Sequence, residues 1–154
     1  MTAFAPILKR AVPSPIRAAV KRYLRRVAAE RYYMTPVAET DDHQVCELSR
    51  AADATLVIIT FNAPELTEWQ LYGLDRHFGD SKLVIIADNS TDARARMRIR
   101  SLAHEYGAVY RGLPSPPRTT PSYSHGLALN YSYRNLLRAT QSTYIAFLDH
   151  DIFP

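Results

Sequence analysis

Cysteine is nearly absent. Cys46 stands alone in 154 residues, which excludes an internal disulfide and a cysteine-rich metal cluster and makes a reducing, cytoplasmic setting the expectation. Cys46 itself reads as a small residue ahead of a helix or strand. Long apolar runs are missing too: none nears the roughly 18 residues that cross a bilayer, and the N-terminal apolar stretches are too broken for a secretory signal, although the first 29 residues are Arg-rich and free of acids. Three glycine motifs are also lacking. No Gly-x-Gly-x-x-Gly follows the first apolar run, no Gly-Lys-Ser/Thr offers a phosphate loop, and no Gly-x-Ser-x-Gly offers a nucleophile elbow. Ordinary dinucleotide binding, a Walker-type cradle and serine-nucleophile chemistry are thereby set aside.

Acid is scarce only at one end. Residues 1–35 hold 8 Lys/Arg against 1 acid, whereas residues 36–154 hold 11 against 14, so the net charge of +4 belongs to the N-terminal segment. A nucleic-acid surface needs its cations on the folded body, and that body is acidic. No nucleic-acid partner is expected. Between Ser14 and Tyr33 the apolar residues Ile16, Val20, Tyr23, Leu24, Val27 and Tyr32 recur near helical spacing, with Arg17, Lys21, Arg22, Arg25 and Arg26 among them. This predicts a basic amphipathic helix, with Ser14 as N-cap and Pro15 in its first turn. Such a helix either packs on protein or lies on anionic lipid at the cytoplasmic membrane face.

Residues 1–35 are read as that helical segment, 36–53 as a linker with room for a short helix, and 54–154 as the domain proper. There the pattern alternates. Thr55–Phe61 is a continuous β-branched run suited to a strand buried on both faces. A helix from Pro64 carries Leu66, Trp69, Leu71 and Leu74, followed by a strand over Lys82–Ala87. A helix over Ala93–Tyr106 turns Met97, Leu102 and Tyr106 inward, a short strand covers Ala108–Tyr110, and prolines 114, 116, 117 and 121 mark an irregular loop. A helix over Gly126–Thr140 and a strand over Thr143–Leu148 complete the series. The expectation is a Rossmann-like α/β fold with a mostly parallel sheet and flanking helices.

In such sheets ligands bind beyond the carboxyl ends of the strands. Those ends are polar here: Thr60-Phe61-Asn62, Asp88-Asn89-Ser90-Thr91-Asp92, and Asp149-His150-Asp151. Asn62, Asp88, Asp149 and Asp151 are expected on one rim. Asp149 and Asp151 offer two hard oxygen donors that suit Mg²⁺ or Mn²⁺, which take further ligands from substrate phosphates. Asp88 fits a ribose hydroxyl or base N–H, and also the start of the following helix, where Ser90 or Asp92 suits the N-cap. His150 is expected on the opposite side of the strand. His125, in the loop before the last helix, reads either as a phosphate contact or as a structural group.

Three segments in order, Val57-Ile-Ile-Thr-Phe-Asn62, Val84-Ile-Ile-Ala-Asp-Asn-Ser-Thr-Asp92 and Tyr144-Ile-Ala-Phe-Leu-Asp-His-Asp151 with Pro154, resemble the inverting family 2 glycosyltransferases of the GT-A fold. The resemblance covers roughly residues 54–154 and implies metal-assisted transfer of a sugar from a nucleotide-diphosphate sugar, with uridine favoured as the base. It implies that Thr60 and Asp88 contact the base, Asp149 the ribose or the metal shell, and Asp151 the metal, with Asn62, Asn89, His125 and Asn130 in the same binding set. One departure stands out. Leu129 precedes Asn130 where many members carry Arg-Asn, leaving His125 or Arg134 to meet the diphosphate. The general base and acceptor pocket of such enzymes fall downstream of the Asp-x-Asp, so this chain is expected to be the donor-binding part, cut after its metal motif.

Two other readings stay open. A haloacid-dehalogenase-type phosphatase also uses strand-Asp-x-Asp, but at the beginning of its domain, whereas here the motif comes last. An α/β nucleotide-binding or adaptor domain without catalysis would leave these acids as loop residues.

Overall fold

Six successive residues of the first strand, Thr55 to Thr60, are buried, because the strand lies inside a sheet covered on both faces. The computed structural model describes residues 13–37, 42–115 and 120–149. In chain order these form helix α1 (Ser14–Met34), helix α2 (Asp42–Arg50), strand β1 (Ala54–Thr60), helix α3 (Pro64–Phe78), strand β2 (Lys82–Asp88), helix α4 (Ala93–Glu105), strand β3 (Val109–Gly112), helix α5 (Pro121–Tyr131) and strand β4 (Tyr144–Asp149). All pairings are parallel, in the order β3-β2-β1-β4. The chain therefore grows outward from β1 to β3 and then returns to place β4 on the other side of β1. The fold is α/β and Rossmann-like, as the alternation predicts.

The two faces separate by residue parity. Val57, Ile59, Ile85, Ala87 and Val109 pack with Leu127, Ala128 and Tyr131 of α5 and with Tyr32 of α1. Leu56, Ile58, Val84 and Ile86 pack on the other face with Leu71 and Leu74 of α3 and Ile99, Leu102 and Ala103 of α4. One expectation about these helices is corrected, that Met97 turns inward. Trp69 is 66% exposed and Met97 67% exposed, since α3 buries Thr67, Gln70, Leu71 and Leu74 and α4 buries Ala95, Ile99, Leu102 and Ala103. The first set stands at i, i+3, i+4 and i+7 and the second at i, i+4, i+7 and i+8, each a single helix face, and neither Trp69 nor Met97 falls on it.

The helix starts differ as well. Ser14 is the first helical residue rather than the cap; Pro13 precedes it, and no side chain caps α1. The last helix begins at Pro121, five residues before Gly126, and after Tyr131 it runs out through a π turn at Ser132–Leu136 and a 3₁₀ turn at Leu137–Ala139. The segment read as a linker contains α2 and contributes Val37, Val45 and Ala52 to the core. Ser49 fastens it there: its hydroxyl accepts from the Gln141 amide at 2.9 Å, and its carbonyl accepts from the Ser142 hydroxyl at 3.0 Å.

Among the described residues β4 has one neighbour, β1. Tyr144 and Ile145 are 69% and 46% exposed there, and an apolar, uncharged edge offers unpaired N–H and C=O groups to another molecule. Concentration-dependent self-association of the chain is expected in sedimentation velocity, and Ile145→Lys should shift it toward monomer. An unchanged distribution in that variant would remove β4 from the contact.

Candidate functional site

The carboxyl ends of β1, β2 and β4 meet at one end of the sheet, and the reversal of strand order falls between β1 and β4. A crevice outside that reversal is where open α/β sheets take ligands. The rim is built by side chains that stitch one loop to the next. Asn62 adopts φ +50°, a left-handed conformation that Asn tolerates better than most residues. This turns its side chain onto the loop after β2, where Oδ1 accepts from the amides of Thr91 and Asp92, both at 3.0 Å, and Nδ2 donates to the Thr91 hydroxyl at 3.2 Å. Its own amide donates to the Ser90 hydroxyl at 2.7 Å. Asp92 then caps α4 through Ala95 N at 2.8 Å, resolving the choice between Ser90 and Asp92. Arg96, one turn into α4, reaches back to the carbonyl oxygens of Ser90 at 2.7 Å and Leu113 at 2.9 Å.

Asp88 lies beneath this lattice with no exposed surface. Its Oδ1 accepts from Ser90 N at 2.8 Å and its Oδ2 from the Tyr110 hydroxyl at 2.8 Å. The geometry follows from register: Ile86 pairs with Tyr110 and Asp88 with Gly112, so Tyr110 and Asp88 share the α3/α4 face on adjacent strands. Gly112 leaves the room, since a Cβ there would stand 3.3 Å from the Tyr110 hydroxyl oxygen. Burial, followed by the bond to Asp88, pushes the Tyr110 hydroxyl well above the usual tyrosine range, so it stays a proton donor. Thr60, on the same face, is equally buried and shares its hydroxyl with that of Thr67 at 2.8 Å. In this arrangement Thr60 and Asp88 support the rim from inside, and a ligand reaches Asp88 only once Tyr110 is displaced.

The opposite parity carries the other groups, of which His125 and Asp149 are partly exposed. Asn89, 2% exposed, donates to the Ser124 hydroxyl of α5 at 3.1 Å, and the Tyr32 hydroxyl approaches its Oδ1 at 3.5 Å. His125, next along α5, sets Nε2 3.6 Å from Asp149 Oδ2, and both side chains are partly open to solvent. Gln70 holds the end of β4 by donating to the Asp149 carbonyl at 2.6 Å. Arg111 pairs in register with Ala87 and brings a buried guanidinium to this same face. The N-terminus of α5 opens here, with Pro121 in its first turn and no side-chain cap, and the positive end of the helix dipole favours an anion.

The structure thus gathers Asn89, His125 and Asp149 and separates them from Thr60 and Asp88, which lie on the other side of the sheet. Asn130 stands apart: it is exposed and turned back on its own helix, donating to the Gly126 carbonyl at 2.9 Å. Arg134 is drawn toward α1, 3.8 Å from Glu30 and stacked 4.6 Å from the centre of the Tyr33 ring. Of the two candidates for the diphosphate, His125 is therefore the one at the rim. His150 and Asp151 lie outside the described residues, and among those described no three His, Cys, Asp or Glu side chains group as a metal site. Asp149 with His125 supplies one carboxylate and one imidazole, a donor pair that suits Mn²⁺ in type.

Sequence reasoning missed Tyr110, Arg96, Gln70 and Arg111. Only Tyr110 carried a usable signal, namely an aromatic two residues before a glycine on the strand beside Asp88. No known family, curated protein or solved structure matches this chain.

Removing the Tyr110 hydroxyl leaves half of a buried carboxylate unpaired. Tyr110→Phe is expected to lower stability by about 1.5–3 kcal/mol in urea unfolding at neutral pH. Tyr32 is also raised by burial, with Tyr131 and Tyr33 adding to it. Because both tyrosines hold their protons more tightly folded than unfolded, the stability they contribute is complete below about pH 10 and is lost as pH rises above it. Unfolding free energy measured from pH 8 to pH 11 should fall above about pH 10, and less steeply in Tyr110→Phe.

Proposed function

We propose that this chain is the donor-binding part of a metal-dependent, inverting glycosyltransferase of family 2 with a GT-A fold. The observation that supports the reading best is the convergence of Asn89, Ser124, His125 and Asp149 at the carboxyl ends of the strands, beside the reversal of strand order and at the open N-terminus of α5. The substrate is a nucleotide-diphosphate sugar, uridine diphosphate being the favoured carrier. Its diphosphate would meet His125, the cationic Arg111 and the positive end of the α5 dipole. Phe61, 45% exposed at the end of β1, offers a flat apolar surface for stacking, while Asn89, bonded to Ser124, holds α5 beside the strand ends.

Asp149, with Asp151 two residues on, would hold Mn²⁺ or Mg²⁺. A cation bound there supplies neutralisation of the leaving diphosphate. The remaining work belongs to the chain itself. The Asn62 clamp and the buried Asp88–Tyr110 pair fix the loop after β2, and Gln70 fixes the end of β4, which limits the ordering cost on binding.

Isothermal titration of the chain with uridine diphosphate, with and without Mn²⁺, tests the proposal. Metal-dependent binding is expected. Asp151→Asn should remove most of that dependence, and His125→Ala should weaken binding about tenfold or more through loss of one bond to a charged group. If the nucleotide fails to bind with Mn²⁺ present, or binds equally well without metal and in Asp151→Asn, the reading falls.

A further inference from the structure

We propose that α1 docks this protein on an anionic lipid surface. Sequence pattern alone left the apolar stripe of this helix free to pack on the body of the protein. The fold uses a different stripe. With Ser14 as origin and about 100° per residue, Ile16, Val20, Tyr23, Leu24 and Val27 fall between about 180° and 280°, whereas Ala29, Tyr32 and Tyr33 fall between about 0° and 100°. The second set meets the body: Tyr32 is buried against Tyr131 at a ring separation of 5.3 Å, and Ala29 and Tyr33 pack against the core. On the same side the Arg25 carbonyl accepts from the Tyr123 hydroxyl at 3.3 Å, with the Arg25 guanidinium over that ring. The first stripe points the other way.

Every residue from Ser14 to Arg26 is exposed. Ile16, Val20, Tyr23 and Leu24 are each more than half exposed. Exposed apolar residues scattered singly carry no message, but a contiguous helical stripe does.

Charge selects the occupant. Arg17, Lys21, Arg22, Arg25 and Arg26 precede the sole acid of the helix, Glu30, and that acid sits beside Arg134. Arg26 at about 120° and Arg17 at about 300° border the apolar stripe on its two sides, where long cationic side chains reach lipid headgroups while their stems stay with the apolar layer. A second copy on this face would set arginine against arginine, whereas an anionic bilayer meets both the charge and the stripe. No helix among the described residues is long and apolar enough to cross a membrane, so contact is along the surface. This inference is independent of the donor-binding reading.

The test is co-sedimentation of the full chain with vesicles of phosphatidylcholine alone or mixed with phosphatidylserine. Binding is expected on the mixed vesicles only and should fall as salt shortens the Debye length below about 10 Å. Replacing Arg17, Lys21 and Arg26 together by Gln should weaken partitioning on the order of a hundredfold. Val20→Asn with Leu24→Asn should weaken it too, which adhesion by charge alone would not show. Both variants alter exposed residues, and unchanged thermal unfolding would show that the fold persists. Equal partitioning onto neutral and anionic vesicles overturns the proposal, as does insensitivity to both variants. Failure to bind vesicles alongside a dimer that the Asn variant dissolves also overturns it and assigns the stripe to a second copy.

Discussion

A carboxylate with no exposed surface is expensive to bury, and the rim of this sheet is organised around making Asp88 tolerable. A buried charge is retained only when its oxygens are bonded, and here one oxygen takes a backbone amide of its own loop and the other a hydroxyl from the neighbouring strand. The two bonds bind the end of β2 to the loop after it and to β3. Ser90, whose amide serves Asp88, uses its hydroxyl to hold the Asn62 amide and its carbonyl to hold Arg96. One buried charge thus sits at the root of a network that ties the ends of β1, β2 and β3 to α4. The network also closes the α3/α4 side of the rim, which leaves the α5 side for ligand.

The strands and the alternation were legible because β1 and β2 are buried on both faces, and such strands must read as unbroken apolar runs. Polar residues at the strand ends were legible for the same reason, since they stand out against those runs. The division of labour among them was harder to see. Asp88 and Asn89 are adjacent, and nothing in their chemistry says which points into the closed side. Parity decides it: the even positions of β2 meet α3 and α4, and the odd ones meet α5. That assignment depends on which helices cover which face, which a local pattern does not contain.

Helix faces failed where a large apolar residue was weighed above its spacing. Trp69 and Met97 are large apolar residues of their helices, yet both project into solvent. Thr67 and Gln70 are buried instead, because their polar atoms have work inside: Thr67 shares the Thr60 hydroxyl, and Gln70 grips the Asp149 carbonyl. A buried polar residue with a tertiary partner is invisible to hydrophobic periodicity, since the pattern records apolar spacing and not hydrogen-bond partners on other elements. The helix after the proline loop was placed late for a related reason. Its first turn, Pro121 to Ser124, is polar, and Ser124 finds its partner only in Asn89.

The amphipathic N-terminal helix shows the same limit from the other side. Its spacing read as one stripe that grouped Tyr32 with Ile16, Val20, Tyr23, Leu24 and Val27, whereas Tyr32 packs on the core and the aliphatic residues of the N-terminal turns are exposed. The aromatic face won because its hydroxyl and ring partners exist on the body: Tyr32 meets Asn89 and Tyr131, and the Tyr131 hydroxyl donates to the Thr35 carbonyl at 2.6 Å. An aliphatic face would bury area there but leave Asn89 and the end of α1 unsatisfied. The outcome is a helix fixed at its C-terminal end to the same face of the sheet that carries Asn89, His125 and Asp149, and exposed along its N-terminal turns. Whatever holds those turns therefore acts on the α5 side of the rim through α1, whose C-terminal residues pack on the core.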